Sequence, residues 1–113
     1  LSDRAVAIVE AMRQRATGDL IFGGGVDKRP ISDTAMTKAL RLASPDKSAT
    51  LHGLRSMFRD WAGEETDFPR EIAEWSLAHH VGNAVERAYR RGDALEKRRA
   101  LMQDWAAYCE KGK

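Results

Sequence analysis

Residues 50–62 read Thr-Leu-His-Gly-Leu-Arg-Ser-Met-Phe-Arg-Asp-Trp-Ala, and this stretch has the pattern of an amphipathic helix. Thr50 supplies a hydroxyl where a helix N-cap is expected. On a helix that turns about 100° per residue, the large apolar side chains fall on one side. They are Leu51, Leu54, Phe58 and Trp61. We therefore expect this side of the helix to pack against the core.

His52 and Arg55 lie on a different side of the same predicted helix, three positions apart. At that spacing their side chains are neighbours on the first turn, where unpaired backbone N–H groups favour an anion. Gly53 between them has no side chain, which leaves room for a ligand to approach the backbone. The pair predicts an anion site, although a His and an Arg at this spacing also occur on solvated helix faces.

Two helices are predicted before this stretch. Ser2 is the expected cap of a helix that reaches Ala16, and Ser32 is the expected cap of a helix from Asp33 to about Ala43. The apolar stripe of the first helix is expected to face inward, at Ala5, Ile8, Val9 and Met12.

Three more helices are predicted after this stretch. Pro69 stands near the start of one that ends near Ala78 and leaves His79 just beyond its end. A short helix over residues 84–90 carries Tyr89. The last helix opens on a capping box, and its predicted apolar side consists of Leu95, Met102 and Trp105.

These elements predict a mainly α fold, a compact multi-helix domain with little or no β-structure. A chain of 113 residues is expected to form a single domain, 1–113. No apolar run is long enough to span a bilayer, and Cys109 is alone, so we expect no membrane association and a cytoplasmic location. The chain opens at Leu1 rather than at a Met, and we expect it to belong to a longer protein.

The overall charge does not identify a partner. The 19 basic residues are nearly balanced by 17 acidic ones, which gives a net charge of +2. The distribution is more informative, because basic residues surround and follow Tyr89 at Arg87, Arg90, Arg91, Lys97, Arg98 and Arg99. This segment is either a nucleic-acid contact or a solvated helix face.

Three other kinds of site fit the sequence poorly. A metal site is not expected, because His79 and His80 are adjacent and no thiolate or His-Glu-x-x-His spacing accompanies them. The glycines at residues 23–25 lack the Lys-Ser/Thr pair of a nucleotide-binding loop. Ser56 lacks the flanking glycines of a hydrolase elbow.

Three short motifs occur in a fixed order along the chain. They are His52-Gly53-Leu54-Arg55, Leu77-Ala78-His79, and Tyr89 followed by Arg90 and Arg91. In this order they resemble the catalytic domain of the tyrosine recombinases, specifically the phage integrases. The resemblance extends over most of the chain and implies site-specific DNA recombination through a 3′-phosphotyrosyl intermediate.

The resemblance also implies roles for individual residues. The implied catalytic residues are His52, Arg55, His79 and Tyr89, and the implied DNA-backbone contacts are Arg59, Arg87, Arg90 and Arg91. The implied partners are double-stranded DNA attachment sites and further copies of the protein, as a tetramer on DNA. No cofactor is implied, and the protein is expected to be bacterial or phage-encoded and associated with the nucleoid.

One part of the family pattern is missing from this sequence. The family has an earlier catalytic Arg, and a Lys on a β-hairpin, and residues 1–49 contain neither in a matching context. The chain therefore resembles the C-terminal part of the catalytic domain without its sheet, and we expect it to be inactive alone. A non-catalytic DNA-binding or regulatory remnant and a helical protein-interaction domain are the alternatives.

Overall fold

The computed structural model describes residues 1–23, 29–79 and 91–111 of the chain. Within these ranges it contains five helices and no strand, apart from an isolated antiparallel bridge between Gly23 and Pro30. The helices are α1 (Asp3–Arg15), α2 (Asp33–Ala43), α3 (Leu51–Glu64), α4 (Arg70–Ser76) and α5 (Arg91–Lys111). The predicted mainly α fold is confirmed, while the short helix predicted at residues 84–90 lies outside the described ranges.

Contacts divide the chain into two compact units. One consists of Leu1–Arg4 and Arg55–Lys113, and the other of Ala5–Leu54. In the first unit the N-terminal residues are tied to α5, because the Asp3 N–H donates to Gln103 Oε1 at 3.3 Å. That the chain forms a single domain stays a prediction.

Side-chain caps begin α2 and α3 where the sequence predicts them. Ser32 Oγ accepts a hydrogen bond from the Ala35 N–H at 3.2 Å, and Thr50 Oγ1 accepts one from the Gly53 N–H at 2.9 Å. A Cβ on Gly53 would lie 3.1 Å from Thr50 Oγ1, which is a tight approach. Gly53 therefore also makes room for the cap that starts α3.

The core of the first unit joins α3, α4 and α5. Its buried residues are Phe58, Trp61, Ala62, Ile72, Ala73 and Leu101. Trp105 of α5 packs against α3, with its ring edge-on to Phe58 at 5.4 Å between centroids and 4.9 Å from Trp61. Burial of these large side chains contributes roughly 1.5–3 kcal/mol each. This packing fixes α3 beside the end of α4, where the candidate site lies.

Three residues predicted to face inward are exposed instead. Leu54 is 42% exposed, Ile8 46% and Leu95 54%. Leu54 lies one turn before the first buried residue of α3, Phe58, and outside the core of the first unit. On α5 the inward side is centred on Leu101, which is fully buried. Leu95 is six positions away and therefore about 120° around the helix from that centre.

Candidate active site

The end of α4 determines where His79 lies. Leu77 caps the helix, and Ala78 then adopts a positive φ of 58°. The Ala78 N–H donates to the Trp75 carbonyl at 3.1 Å, and the His79 N–H donates to the Glu74 carbonyl at 2.9 Å. This is the Schellman arrangement of a helix end, with Ala in the position usually taken by Gly at a penalty of about 1–2 kcal/mol. The turn folds His79 back over the last turn of α4.

Arg55 reaches from α3 to this helix end. Its Nη2 donates to the Leu77 carbonyl oxygen at 2.6 Å and lies 2.8 Å from His79 Nε2. The chain thus brings together two residues that are 24 positions apart in sequence. Both side chains are exposed enough to meet a ligand, and in the described part of the chain Arg55 Nε and Nη1 form no hydrogen bond. A guanidinium and an imidazole therefore lie side by side at the surface.

Glu74 of α4 holds the other nitrogen of the imidazole. Its Oε2 lies 2.5 Å from His79 Nδ1, and the residue is only 8% exposed. Its Oε1 lies 2.8 Å from Arg59 Nε and 3.7 Å from Arg70 Nε. The Arg59 contact is an ion pair rather than a hydrogen bond, since Oε1 has no partner with hydrogen-bonding geometry.

The surroundings of Glu74 favour its ionised form. The hydrogen bond with His79 is the main reason that the pKa of Glu74 lies below its ordinary value of 4.5, and the positive charges of Arg59 and Arg70 act in the same direction. Burial acts against them by raising the pKa. The carboxylate is therefore a fixed negative charge between α3 and the end of α4.

The contacts determine the protonation of His79. A guanidinium can only donate hydrogen bonds, and an ionised carboxylate can only accept them. His79 Nε2 must then be an acceptor towards Arg55, while Nδ1 carries the proton and donates to Glu74. These contacts fit the neutral Nδ1–H tautomer of His79.

Curated proteins with similar sequences are phage and prophage integrases. The prophage integrase IntA of Escherichia coli (strain K12) is 40% identical over 108 residues, which cover 94% of this chain and 26% of IntA. The chain belongs to the phage integrase family of tyrosine recombinases. The prophage integrase IntZ of the same strain is 32% identical over 94% of this chain, and the integrase of Enterobacteria phage P4 is 32% identical over 97% of it.

The chain spans about a quarter of the length of these relatives, since it covers 26% of each. No protein-family model matches it. No solved structure matches it either. The family assignment predicted from the three motifs is thus confirmed by sequence relatives.

The structure brings together two of the four predicted catalytic residues, Arg55 and His79. His52 is exposed on the first turn of α3 and belongs to the second compact unit. Tyr89 lies outside the described residues. The roles of all four stay predictions.

The predicted DNA contacts have a similar distribution. Arg59 lies against Glu74 with its side chain 47% exposed, so part of its charge is already paired within the protein. Arg87 and Arg90 lie outside the described residues. Arg91 begins α5, and its side chain is likewise outside the description. Their contacts with DNA stay predictions.

Glu74 is the residue of the site that the sequence did not reveal. It stands five positions before His79, a spacing at which helical side chains are not neighbours. The sequence showed only that Glu74 stands four positions after Arg70, at the spacing of a helical ion pair. Such pairs are common on helix surfaces and do not indicate a site. The contact with His79 exists because the chain turns back at Ala78.

The described ranges of the chain contain neither a candidate membrane span nor a candidate metal site. None of the described helices combines the length and the apolar composition needed to cross a membrane. Among the described residues no group of three or more His, Cys, Asp or Glu side chains is arranged to hold a metal ion.

The lowered pKa of Glu74 predicts a specific loss of stability in acid. Because the folded pKa is below 4.5, ionised Glu74 stabilises the fold above that pH, and the contribution is lost as pH falls through the folded value. The free energy of unfolding should therefore decrease more between pH 6 and pH 3 in the wild type than in Glu74→Gln. Urea unfolding followed by tryptophan fluorescence measures both curves.

Glu96→Gln is the matched control for this comparison. Glu96 lies 3.8 Å from Arg99 in an ion pair whose side chains are 71% and 63% exposed. Exposed pairs of this kind contribute about 0–1 kcal/mol, so this variant should keep the pH dependence of the wild type. Parallel curves for wild type and Glu74→Gln would show that Glu74 does not stabilise the fold as an ionised group.

Proposed function

We propose that the full-length protein containing this chain is a site-specific DNA recombinase that cuts and rejoins strands through a 3′-phosphotyrosyl intermediate. The observation that carries the proposal is the pairing of Arg55 with His79 at 2.8 Å beside the end of α4. The order of the motif residues and the integrase relatives support it. Together these features support Arg55 and His79 as the pair that would bind a phosphodiester.

Tyr89 is the proposed nucleophile. Its phenolic oxygen attacks the phosphorus of a backbone phosphodiester, a 3′-phosphotyrosyl bond forms, and the 5′-oxygen leaves and takes up a proton. A free phenol has a pKa of about 10, so attack requires a base for its proton and positive charge near the phosphate. The covalent bond preserves the energy of the phosphodiester, and a second DNA 5′-hydroxyl can reverse the step without a cofactor.

Arg55 is the proposed clamp for the non-bridging phosphate oxygens. A planar guanidinium offers donors in a fixed fork that matches a phosphate, and the interaction strengthens as charge develops in the transition state. The bond from Nη2 to the Leu77 carbonyl holds the plane of the fork in place. His79 is the proposed second donor to the same phosphate, and His52 is the proposed general acid or base.

The remaining basic residues are proposed to contact the DNA backbone. Arg59, Arg87, Arg90 and Arg91 would position the duplex at its attachment site without reading sequence. For Arg59 the contact would compete with its ion pair to Glu74. A tetramer on DNA would bring four such sites to two duplexes, as exchange of all four strands requires.

Mapping of the covalent adduct tests the proposal. A duplex nicked so that the released fragment diffuses away should trap the full-length protein on DNA after cleavage. We expect mass spectrometry of the nuclease-treated and protease-treated adduct to find a nucleotide on the peptide that contains Tyr89. An adduct on another residue would overturn the assignment of the nucleophile. DNA retardation without any adduct would favour the non-catalytic DNA-binding remnant.

A further inference from the structure

The hydrogen bonds of His79 leave it without a donor for a ligand. Its Nδ1–H is used by Glu74 at 2.5 Å, and its Nε2 accepts from Arg55 at 2.8 Å. A phosphate oxygen is itself an acceptor, and it cannot be bound by an unprotonated Nε2. The imidazole must therefore change its protonation before it can donate to a phosphate.

We propose that binding of a phosphate group beside Arg55 makes His79 take up one proton from solvent. The proton goes to Nε2, the hydrogen bond from Arg55 to Nε2 breaks, and the new Nε2–H donates to the phosphate oxygen. Nδ1–H stays on Glu74, which holds the imidazolium in place. This inference rests on the proposed function, because it concerns the same phosphate site.

The contact with Glu74 excludes the simpler alternative of a tautomer shift. A neutral imidazole with its proton on Nε2 would turn the bare lone pair of Nδ1 towards Glu74 Oε2, and two acceptors would then face each other at 2.5 Å. Moving a proton onto Glu74 would relieve that clash. However, Arg59 and Arg70 lie 2.8 Å and 3.7 Å from its other oxygen and favour the carboxylate. Only the imidazolium satisfies both neighbours of the ring.

The charges around His79 explain why the proton arrives with the anion. From α3, Arg55 faces Nε2 and disfavours a second positive charge there, whereas Glu74 of α4 faces Nδ1 and favours it. Arg59 and Arg70 lie on the far side of Glu74 and weaken its effect on the ring. An anion placed between Arg55 and His79 offsets the repulsion, and by linkage a bound proton then strengthens anion binding by the same factor.

A pH series with sulfate tests the inference. Sulfate has the charge and shape of a phosphate but does not itself titrate near neutral pH. Over the pH range in which the free protein shows a hydrogen on Nδ1 alone, the Kd for sulfate should rise about tenfold per pH unit, as uptake of one proton requires. Long-range proton–nitrogen NMR of histidine-labelled full-length protein should show a hydrogen on Nδ1 alone without sulfate, and on both ring nitrogens with it.

Glu74→Gln tests whether the carboxylate imposes the proton requirement. A carboxamide can donate to Nδ1, so the neutral Nε2–H tautomer becomes available and sulfate should bind with less than about a twofold change per pH unit. Arg70→Gln is the matched control, because it removes a charge beside Glu74 without touching His79. That variant should keep the tenfold slope.

The outcomes separate this inference from the proposed function. If sulfate binds and shifts the His79 signals but its affinity is independent of pH in the wild type, proton uptake is overturned and the phosphate site stands. If Glu74→Gln keeps both the slope and two ring hydrogens, the role of the carboxylate is overturned. If sulfate never affects His79 at any pH, both the phosphate site and the proton step are overturned.

Discussion

Tyr89→Phe in the full-length protein is expected to abolish covalent capture of nicked DNA while leaving DNA retardation within about threefold of wild type. The substitution removes only the phenolic oxygen, which is the atom that would form the bond to phosphorus. Phenylalanine has no nucleophilic oxygen, so no phosphotyrosyl bond can form. Retardation should persist because DNA affinity depends mainly on basic side chains that contact phosphates. Gel electrophoresis under denaturing and native conditions measures the two properties.

Tyr108→Phe is the control for this variant, since the chain has two tyrosines. Tyr108 lies on α5 with its ring stacked on Trp105 at 5.5 Å between centroids, and it is 47% exposed. Loss of its hydroxyl leaves the stacking surface intact, so capture should continue at close to the wild-type rate. Capture that survives in Tyr89→Phe and disappears in Tyr108→Phe would exchange the assignments of the two residues.

The parts of the fold that were predicted correctly are those with local chemical signals. The helix α2 runs from Asp33 to Ala43 as expected, because Ser32 caps its start and Pro45 follows its end. The start of α3 at Leu51 follows in the same way from Thr50. Hydroxyl caps and prolines act on the residues next to them, so a single sequence suffices to locate the helix ends that they determine.

Burial was predicted less well because it depends on how far neighbouring elements extend. Phe58 and Trp61 are buried as expected, at 4% and 7% exposure, whereas Leu54 on the same helical side is 42% exposed. Helical periodicity gives the direction of each side chain and contains no information on where a covering helix ends. Leu95 on α5 is exposed for another reason, because it points about 120° away from the side of the helix that buries Leu101.

The sequence predicted some of the residues of the candidate site, but it did not predict all of the contacts between their side chains. Arg55 and His79 were expected to share a phosphate, and the structure places them 2.8 Å apart. Glu74 was missed because its contact depends on the left-handed turn at Ala78. Gly would have indicated such a turn, and Ala gives no such signal. A contact that depends on one backbone conformation cannot be predicted from residue spacing.

Arg55→Lys is expected to lower the rate of strand cleavage by the full-length protein roughly 100- to 1000-fold, the usual effect of losing one donor to a developing charge. The observed guanidinium bonds to the Leu77 carbonyl and His79 through Nη2 while its Nε and Nη1 donors form no hydrogen bond within the described residues. A lysine ammonium is a single point of charge and cannot hold the helix end and a phosphate in one plane.

Single-turnover cleavage of a nicked duplex measures the effect of Arg55→Lys, and Arg70→Lys is the matched control. Arg70 is 77% exposed and lies 3.7 Å from Glu74, so the same exchange of head group should change the rate by about twofold or less. A large loss confined to position 55 would show that the planar fork is needed there in addition to its positive charge, because both variants keep the charge. Equal rates for wild type and Arg55→Lys would mean that charge alone suffices, and the clamp assigned to Arg55 would then be wrong.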